Sequence, residues 1–190
     1  MDTRIALLET AEMIARKRGL NGFSYADLSA HVGIRKASIH YHFPTKDDLT
    51  QNMLDQYIQR FLSRLAMISD TTESAAQEVD AYLTAYREAL KDGGSVCLCV
   101  AMSADRDSLP SGAVESLNAF QKQSEDWLNS VFERALVDRS ILAVSSPADE
   151  AAAALALVEG AQLVARVTQD VSMFDKATAA LCARLSLKRN

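Results

Sequence analysis

Proline occurs only three times in 190 residues and glycine seven times. A chain of short strands joined by tight turns needs more of both, so an all-β architecture is disfavoured. Cysteine is equally sparse. Cys97, Cys99 and Cys182 cannot make a disulfide framework. Histidine is confined to His31, His40 and His42, which leaves everything after residue 42 without the commonest general base. No Ser/His/Asp nucleophile pattern, HExxH helix or phosphate-cradling glycine loop occurs, so neither an enzymatic activity nor a cofactor is expected. No signal peptide is visible, and no uninterrupted apolar run reaches the ~18–20 residues of a membrane span, so a reducing cytoplasm is the simplest setting. An excess of positive charge is missing too, because the formal net charge is −5.

That acidity is unevenly spread. Residues 1–50 hold seven Lys+Arg against six Asp+Glu, whereas the remainder holds 13 against 19. Bulk charge would not draw this chain to a nucleic acid, so binding would need a local patch. What is abundant is alanine and leucine, within a hydrophobic content of 48%. Both favour helix.

The apolar positions recur at helical spacing almost throughout. Ile5, Leu7, Leu8, Ala11, Ile14 and Ala15 predict a helix over 3–18, closed by Gly19 in the left-handed conformation. Phe23 is expected to plug a small core. Ser24 with Asp27 reads as a capping box for a second helix that ends at Gly33. A short third helix spans Lys36 to His42. Thr45 with Asp48 opens a long fourth that reaches about Met67, and Asp70 with Glu73 opens a fifth that breaks at Gly93-Gly94. "SVCLCVAMSA" reads as a buried short helix and "RDSLPSG" as a loop. Further helices follow to about Leu136, from Ser146-Pro147 to Thr168, and from Ser172 onward. The expectation is an all-α chain of about nine helices. Residues 1–45 form a helix-turn-helix head that leans on the helix starting at Lys46, and residues 46–190 form a larger body.

A helix, a tight turn at Gly33 and a second short helix suit the DNA major groove. Arg35 and Lys36 stand at the start of the second helix, where guanine edges or phosphates are in reach. Ser38 is small and hydroxylated. His40 and Tyr41 offer further donors to phosphate, and Lys46 opens the next helix, whose free N–H groups can share a phosphate with it. Ile39 and Phe43, four apart, should face inward. His40 and His42 cannot grip one metal ion, because residues two apart on a helix point about 200° apart.

The stretches "ALLETAEMIARKRGLNGFSYADLSAHVGI" and "KASIHYHFPTKDDL" resemble the DNA-binding head of TetR-family transcriptional regulators. The resemblance rests on Ala37, Ser38, Ile39, Tyr41, His42, Phe43, Pro44 and Lys46, and it covers about a quarter of the chain. It implies a homodimer that binds a palindromic operator and lets go when a small molecule occupies the body. Two positions depart from the pattern: His40 stands where tyrosine is common, and Arg35 stands where a capping Ser/Thr is usual.

The resemblance puts an effector pocket among the helices that carry Tyr57, Phe61, Tyr82, Tyr86, Met102, Phe120 and Trp127. The same residues could instead be ordinary core. Small residues at four-residue steps, Ala152, Ala156 and Gly160, with Leu155, Leu163 and Val167, suggest a self-pairing face. Phe174, Leu181 and Leu185 of the last helix would join it. Two alternatives stay open: a thiol-modification sensor using Cys97 and Cys99, and a helix-turn-helix module that binds protein rather than DNA.

Overall fold

Helix starts in this chain are written by side chains that accept from the first free backbone N–H groups. In the computed structural model, which describes residues 2–187, Ser24 and Asp27 form the reciprocal capping box. The Asp27 carboxylate accepts from the Ser24 N–H at 2.7 Å, while Ser24 Oγ accepts from Ala26 N–H at 3.2 Å. Thr45 and Asp48 repeat it, with the Thr45 N–H on Asp48 at 3.0 Å and the Asp48 N–H on Thr45 Oγ1 at 3.1 Å. Nine α-helices result among the described residues: α1 Thr3–Arg18, α2 Tyr25–Val32, α3 Lys36–His42, α4 Lys46–Thr71, α5 Ala75–Ala89, α6 Leu98–Ser103, α7 Ser111–Asp138, α8 Pro147–Thr168 and α9 Ser172–Cys182. Extended pairing among the described residues is limited to one isolated antiparallel bridge, Ile141 to Leu185.

Several boundaries differ from expectation for local reasons. Gly19 does carry a positive φ of 76°, but with ψ 172° it is not in the left-handed helical region. The chain instead turns through Leu20–Gly22, with the Leu20 N–H donated to Asp105 Oδ2 at 3.1 Å. Asp70 opens no helix, because α4 runs on to Thr71. The Thr71 and Thr72 hydroxyls donate back to the Met67 and Ile68 carbonyls, at 2.8 and 2.7 Å. The cap of α5 is Ser74, and Asp138 Oδ2 and Ser140 Oγ take up the Ala75 and Ala76 N–H groups at 2.8 and 2.9 Å. Within "SVCLCVAMSA" only Leu98–Ser103 is helical, and the loop after it contains a short 3₁₀ turn, Arg106–Ser108. Asp170 rather than Asp175 holds the start of α9, accepting from the Ser172 N–H at 2.9 Å. Gly33, at φ 75° and ψ 31°, is the left-handed residue that closes α2, with its N–H on the Ser29 carbonyl at 3.0 Å.

The chain folds as two compact units, Met1–Arg60 with Leu98–Ala119, and Phe61–Cys97 with Phe120–Asn190. The first unit thus adds the start of α4, α6 and the start of α7 to the three head helices. Its core gathers Leu7, Leu8, Phe23, Leu28, Ile39 and Phe43, all buried. Burying side chains of this size stabilises by roughly 1.5–3 kcal/mol each, which lets so small a head hold its shape. In the second unit, Val79, Leu83, Leu128, Phe132, Val158 and Phe174 are buried. Gln162 ties this unit together from within. Its Oε1 accepts from the Cys97 N–H at 2.8 Å and its Nε2 donates to the Tyr86 carbonyl at 2.6 Å. At 22 residues α8 has the length and composition of a membrane span, although, as expected, its apolar run is interrupted. It carries Glu159 and the buried Gln162 near its middle, as a core helix of a folded unit does.

Candidate nucleic-acid interface and a buried hydroxyl cluster

Seven residues make α3, too few to be helical without support, so its inner side decides its position. Ile39 and Phe43 are 0% and 1% exposed and fasten it to the unit's core. The other side is turned outward: Arg35, Lys36, Ala37, Ser38, His40 and Tyr41 are all exposed, Tyr41 at 85%. Arg35 occupies the N-cap position and makes no side-chain cap, so its guanidinium is not tied to the helix it begins.

The turn after α3 is braced by two rings. Tyr25, the first residue of α2, places its hydroxyl 2.6 Å from the Thr45 carbonyl and 2.9 Å from that of Phe43. The His40 ring lies 4.9 Å from the Tyr25 ring, and its Nδ1 is 3.2 Å from the Pro44 carbonyl. A carbonyl only accepts, so Nδ1 carries the proton there and Nε2 remains for an outside partner. Burial raises the Tyr25 pKa, with Asp48 and Asp47 adding to the effect, so the phenol stays a donor at neutral pH. Tyr25 escaped the sequence reading because the two carbonyls it meets are 18 and 20 residues away.

Lys46 is placed differently from expectation. Its Nζ donates to the Leu20 and Phe23 carbonyls, at 2.9 and 3.2 Å, and sits 4.9 Å from the centre of the Phe23 ring. The amine thus stitches the α1–α2 connection to the start of α4 instead of facing a phosphate. His31 is exposed at the end of α2, and His42 is half-buried.

The seven residues considered for an effector pocket divide. Tyr57 belongs to the first unit, with the Arg16 and Arg60 guanidinium carbons 5.8 and 5.7 Å from its ring centre, and Met102 is buried in the same unit. The other five form a ladder of rings in the second unit. Phe120 meets Phe61 at 5.4 Å, Phe61 meets Tyr86 at 5.4 Å, Tyr86 meets Tyr82 at 4.9 Å, and Tyr82 stacks on Trp127 at 5.6 Å. The Trp127 N–H is donated to Ser69 Oγ at 3.0 Å, and Ser69 in turn donates to Glu78, which Arg134 grips with two N–H groups. By contrast, Tyr82 Oη, Tyr86 Oη and Ser124 Oγ are buried, and among the described residues nothing beyond the contact of the two phenols with each other offers them a hydrogen bond. Burial pushes the pKa of both phenols far up, so they stay protonated. Glu159 is half-buried, accepts from Gln121 Nε2 at 2.9 Å, and has its pKa raised by burial. The sequence reading missed Ser124, Gln121 and Glu159, although Ser124 shares the α7 face of Phe120 and Trp127 by its spacing.

The candidate self-pairing residues also divide. Ala152, Ala156, Gly160, Leu163 and Val167 lie exposed along one side of α8, Leu163 at 46% and Val167 at 85%. Leu155, Phe174 and Leu181 do not join them. They are buried within the chain, at 8%, 1% and 6% exposure, because they fill the space where α8 and α9 pack on each other and on their own unit.

Known proteins share this arrangement. The family model "Bacterial regulatory proteins, tetR family" matches residues 7–53. A TetR-family transcriptional regulator from Agrobacterium tumefaciens superposes with a TM-score of 0.91 at 30% identity, over 97% of this chain and 98% of that one. The HTH-type transcriptional regulator CymR of Pseudomonas putida is 29% identical over 142 residues, 72% of this chain and 68% of that protein. The HTH-type transcriptional repressor NemR of Escherichia coli (strain K12) is 24% identical over 183 residues, 94% of this chain and 91% of its own length. A solved form of E. coli NemR, described as reduced, superposes with a TM-score of 0.80. Full-length likeness in fold, a matching head and an outward-facing α3 together decide between DNA and protein docking, and between regulator and enzyme: the chain belongs to the TetR family of DNA-binding transcriptional regulators.

Proposed function

We propose that this protein is a cytoplasmic, homodimeric repressor that grips a palindromic operator through two copies of α3 and is released by a small, largely apolar effector. Residues 1–45 read DNA in this proposal, and residues 46–190 hold the effector and the dimer contact. Arg35, Lys36, Ser38, His40 and Tyr41 touch the duplex. Arg35 and Lys36 meet base edges or phosphates at the groove, while His40 Nε2 and the Tyr41 hydroxyl meet the backbone. The carrying observation is the two-sidedness of α3, with Ile39 and Phe43 sealed into the core and every candidate DNA-contacting side chain on it outside. Phe61, Tyr82, Tyr86, Phe120 and Trp127 form the effector-binding wall, and the exposed stripe from Ala152 to Val167 pairs with itself across the two-fold axis. A palindrome then follows from symmetry, with half-sites ~34–36 Å apart. Sequencing the genomic fragments retained by the purified protein tests this. A shared inverted repeat is expected, and retention without any common motif contradicts the reading.

Thiol modification of Cys97 or Cys99 is the second reading, favoured by the likeness to a NemR structure described as reduced. Both thiols are buried here, at 1% and 0% exposure, which favours a bound ligand over a reagent arriving from solvent. Operator binding that is unchanged by diamide and N-ethylmaleimide would remove the thiol reading.

A further inference from the structure

Three hydroxyl groups of the second unit are out of balance with their surroundings. Tyr82, Tyr86 and Ser124 are each 0% exposed, and among the described residues no group outside the Tyr82–Tyr86 pair offers their oxygens a hydrogen bond. An unpartnered buried hydroxyl costs about 1–3 kcal/mol, and folded chains keep only a few of them per hundred residues, so three on neighbouring faces of one unit call for an explanation. Bonding between Tyr82 and Tyr86 would not settle the account, since two hydroxyls sharing one hydrogen bond leave a proton over. Tyr82 and Tyr86 are adjacent rungs of the ring ladder, and Ser124 lies on α7 between Phe120 and Trp127, the two residues that end it. Gln121, one turn from Ser124, reaches across to Glu159 on α8.

Charge narrows the chemistry. Glu159 is held at 2.9 Å by Gln121, one turn from Ser124, which puts its carboxyl group beside the cluster, where its charge also bears on both phenols. Its one hydrogen-bond donor is the neutral Gln121 amide, and no Lys, Arg or His is paired with it among the described residues. A carboxylate beside aromatic rings and without a cation repels an anionic ligand and leaves a neutral one with the charge uncompensated. A cation gains from the ring faces and from the carboxylate together, and its N–H groups find acceptors in the three hydroxyl oxygens.

We propose that this cluster binds a small organic cation, an amine carried on an apolar body, with its charge at Glu159 and the ring faces of Tyr82, Tyr86 and Trp127. This rests on the reading of residues 46–190 as the effector-binding part and names the effector's class. Trp127 is the only tryptophan in the chain, so its fluorescence reports on the site without reference to DNA.

The test titrates the full-length protein at neutral pH with three matched probes: phenethylammonium, phenethyl alcohol and phenylacetate. Phenethylammonium is expected to change Trp127 emission with an affinity about tenfold above that of the alcohol, and phenylacetate is expected to be the weakest. In Glu159→Gln, checked by its retained DNA binding, the advantage of the cation over the alcohol should vanish. Equal or tighter binding of the alcohol or the acid overturns the proposal, as does silence from all three or an unchanged preference in Glu159→Gln. Should that variant fail to fold, the probe series on the unaltered protein still decides. Release is read separately, by anisotropy of a labelled retained DNA fragment. Phenethylammonium that binds at Trp127 without releasing DNA upholds the cation site and overturns its role as effector trigger.

Discussion

At the scale of single residues, position in the chain and direction of the side chain are separate facts, and Lys46 shows the difference. Its place beside the recognition helix suggests a phosphate contact, but its amine is spent on the carbonyls of Leu20 and Phe23. Lys46→Met should therefore lower stability by about 1–3 kcal/mol, the cost of unmaking hydrogen bonds from a charged donor, as read from urea unfolding of the full chain. Tyr41 is the opposite case. It is 85% exposed, so Tyr41→Ala should leave the unfolding midpoint unchanged while weakening DNA binding. The inward direction of Ile39 and Phe43 was legible from their spacing of four. The direction of Lys46 was not, because its acceptors lie 23 and 26 residues away and no local pattern encodes them.

At the scale of elements, caps and clips determine where helices begin. Asp138 is the informative case, since its carboxylate closes α5 by accepting from the Ala75 N–H and also accepts from the Ser140 N–H at 2.8 Å. Burial pushes its pKa upward, but these N–H donors outweigh that and the net direction is down. A depressed folded-state pKa contributes stability that is present above the ordinary carboxylate value and is lost as pH falls through the lowered one. Asp138→Asn should accordingly flatten the acid limb of the stability-versus-pH curve, measured by thermal unfolding in a series of acidic buffers. Gln162→Leu should cost on the order of 3 kcal/mol, because it strands the Cys97 N–H and the Tyr86 carbonyl together. The boxes at Ser24 and Thr45 could be read in advance because each is complete within four residues. The start of α5 could not. Thr71 and Thr72 prolong α4 past Asp70, and the groups that cap α5 include Asp138 and Ser140, more than sixty residues on.

At the scale of the whole molecule, the proposed self-pairing stripe and the proposed DNA-reading helix become one problem, since a palindromic operator would be recognised only by a pair. Gly160 lies within the exposed stripe, and nothing stands within 4 Å of where its Cβ would be. Gly160→Leu should leave the monomer folded, raise the monomer fraction in sedimentation velocity, and weaken operator binding in step. A monomer that still binds tightly would break that coupling. Helix count and stripe were both legible, because a repeat of three and four residues marks any helix with one apolar side. Which apolar residues of the last two helices face outward was not, since Leu155, Phe174 and Leu181 differ from Leu163 and Val167 only in where the tertiary packing places them.

The account depends above all on α3 carrying the charge that meets DNA from an otherwise acidic chain. The direct measurement is the salt dependence of binding to a selected operator fragment, for the unaltered protein and for Arg35→Ala/Lys36→Ala. The account predicts a large loss of affinity in the double variant and a shallower slope of log affinity against log salt, by roughly one to two phosphate contacts per protomer. Equal affinity and an equal slope in the two proteins would contradict it.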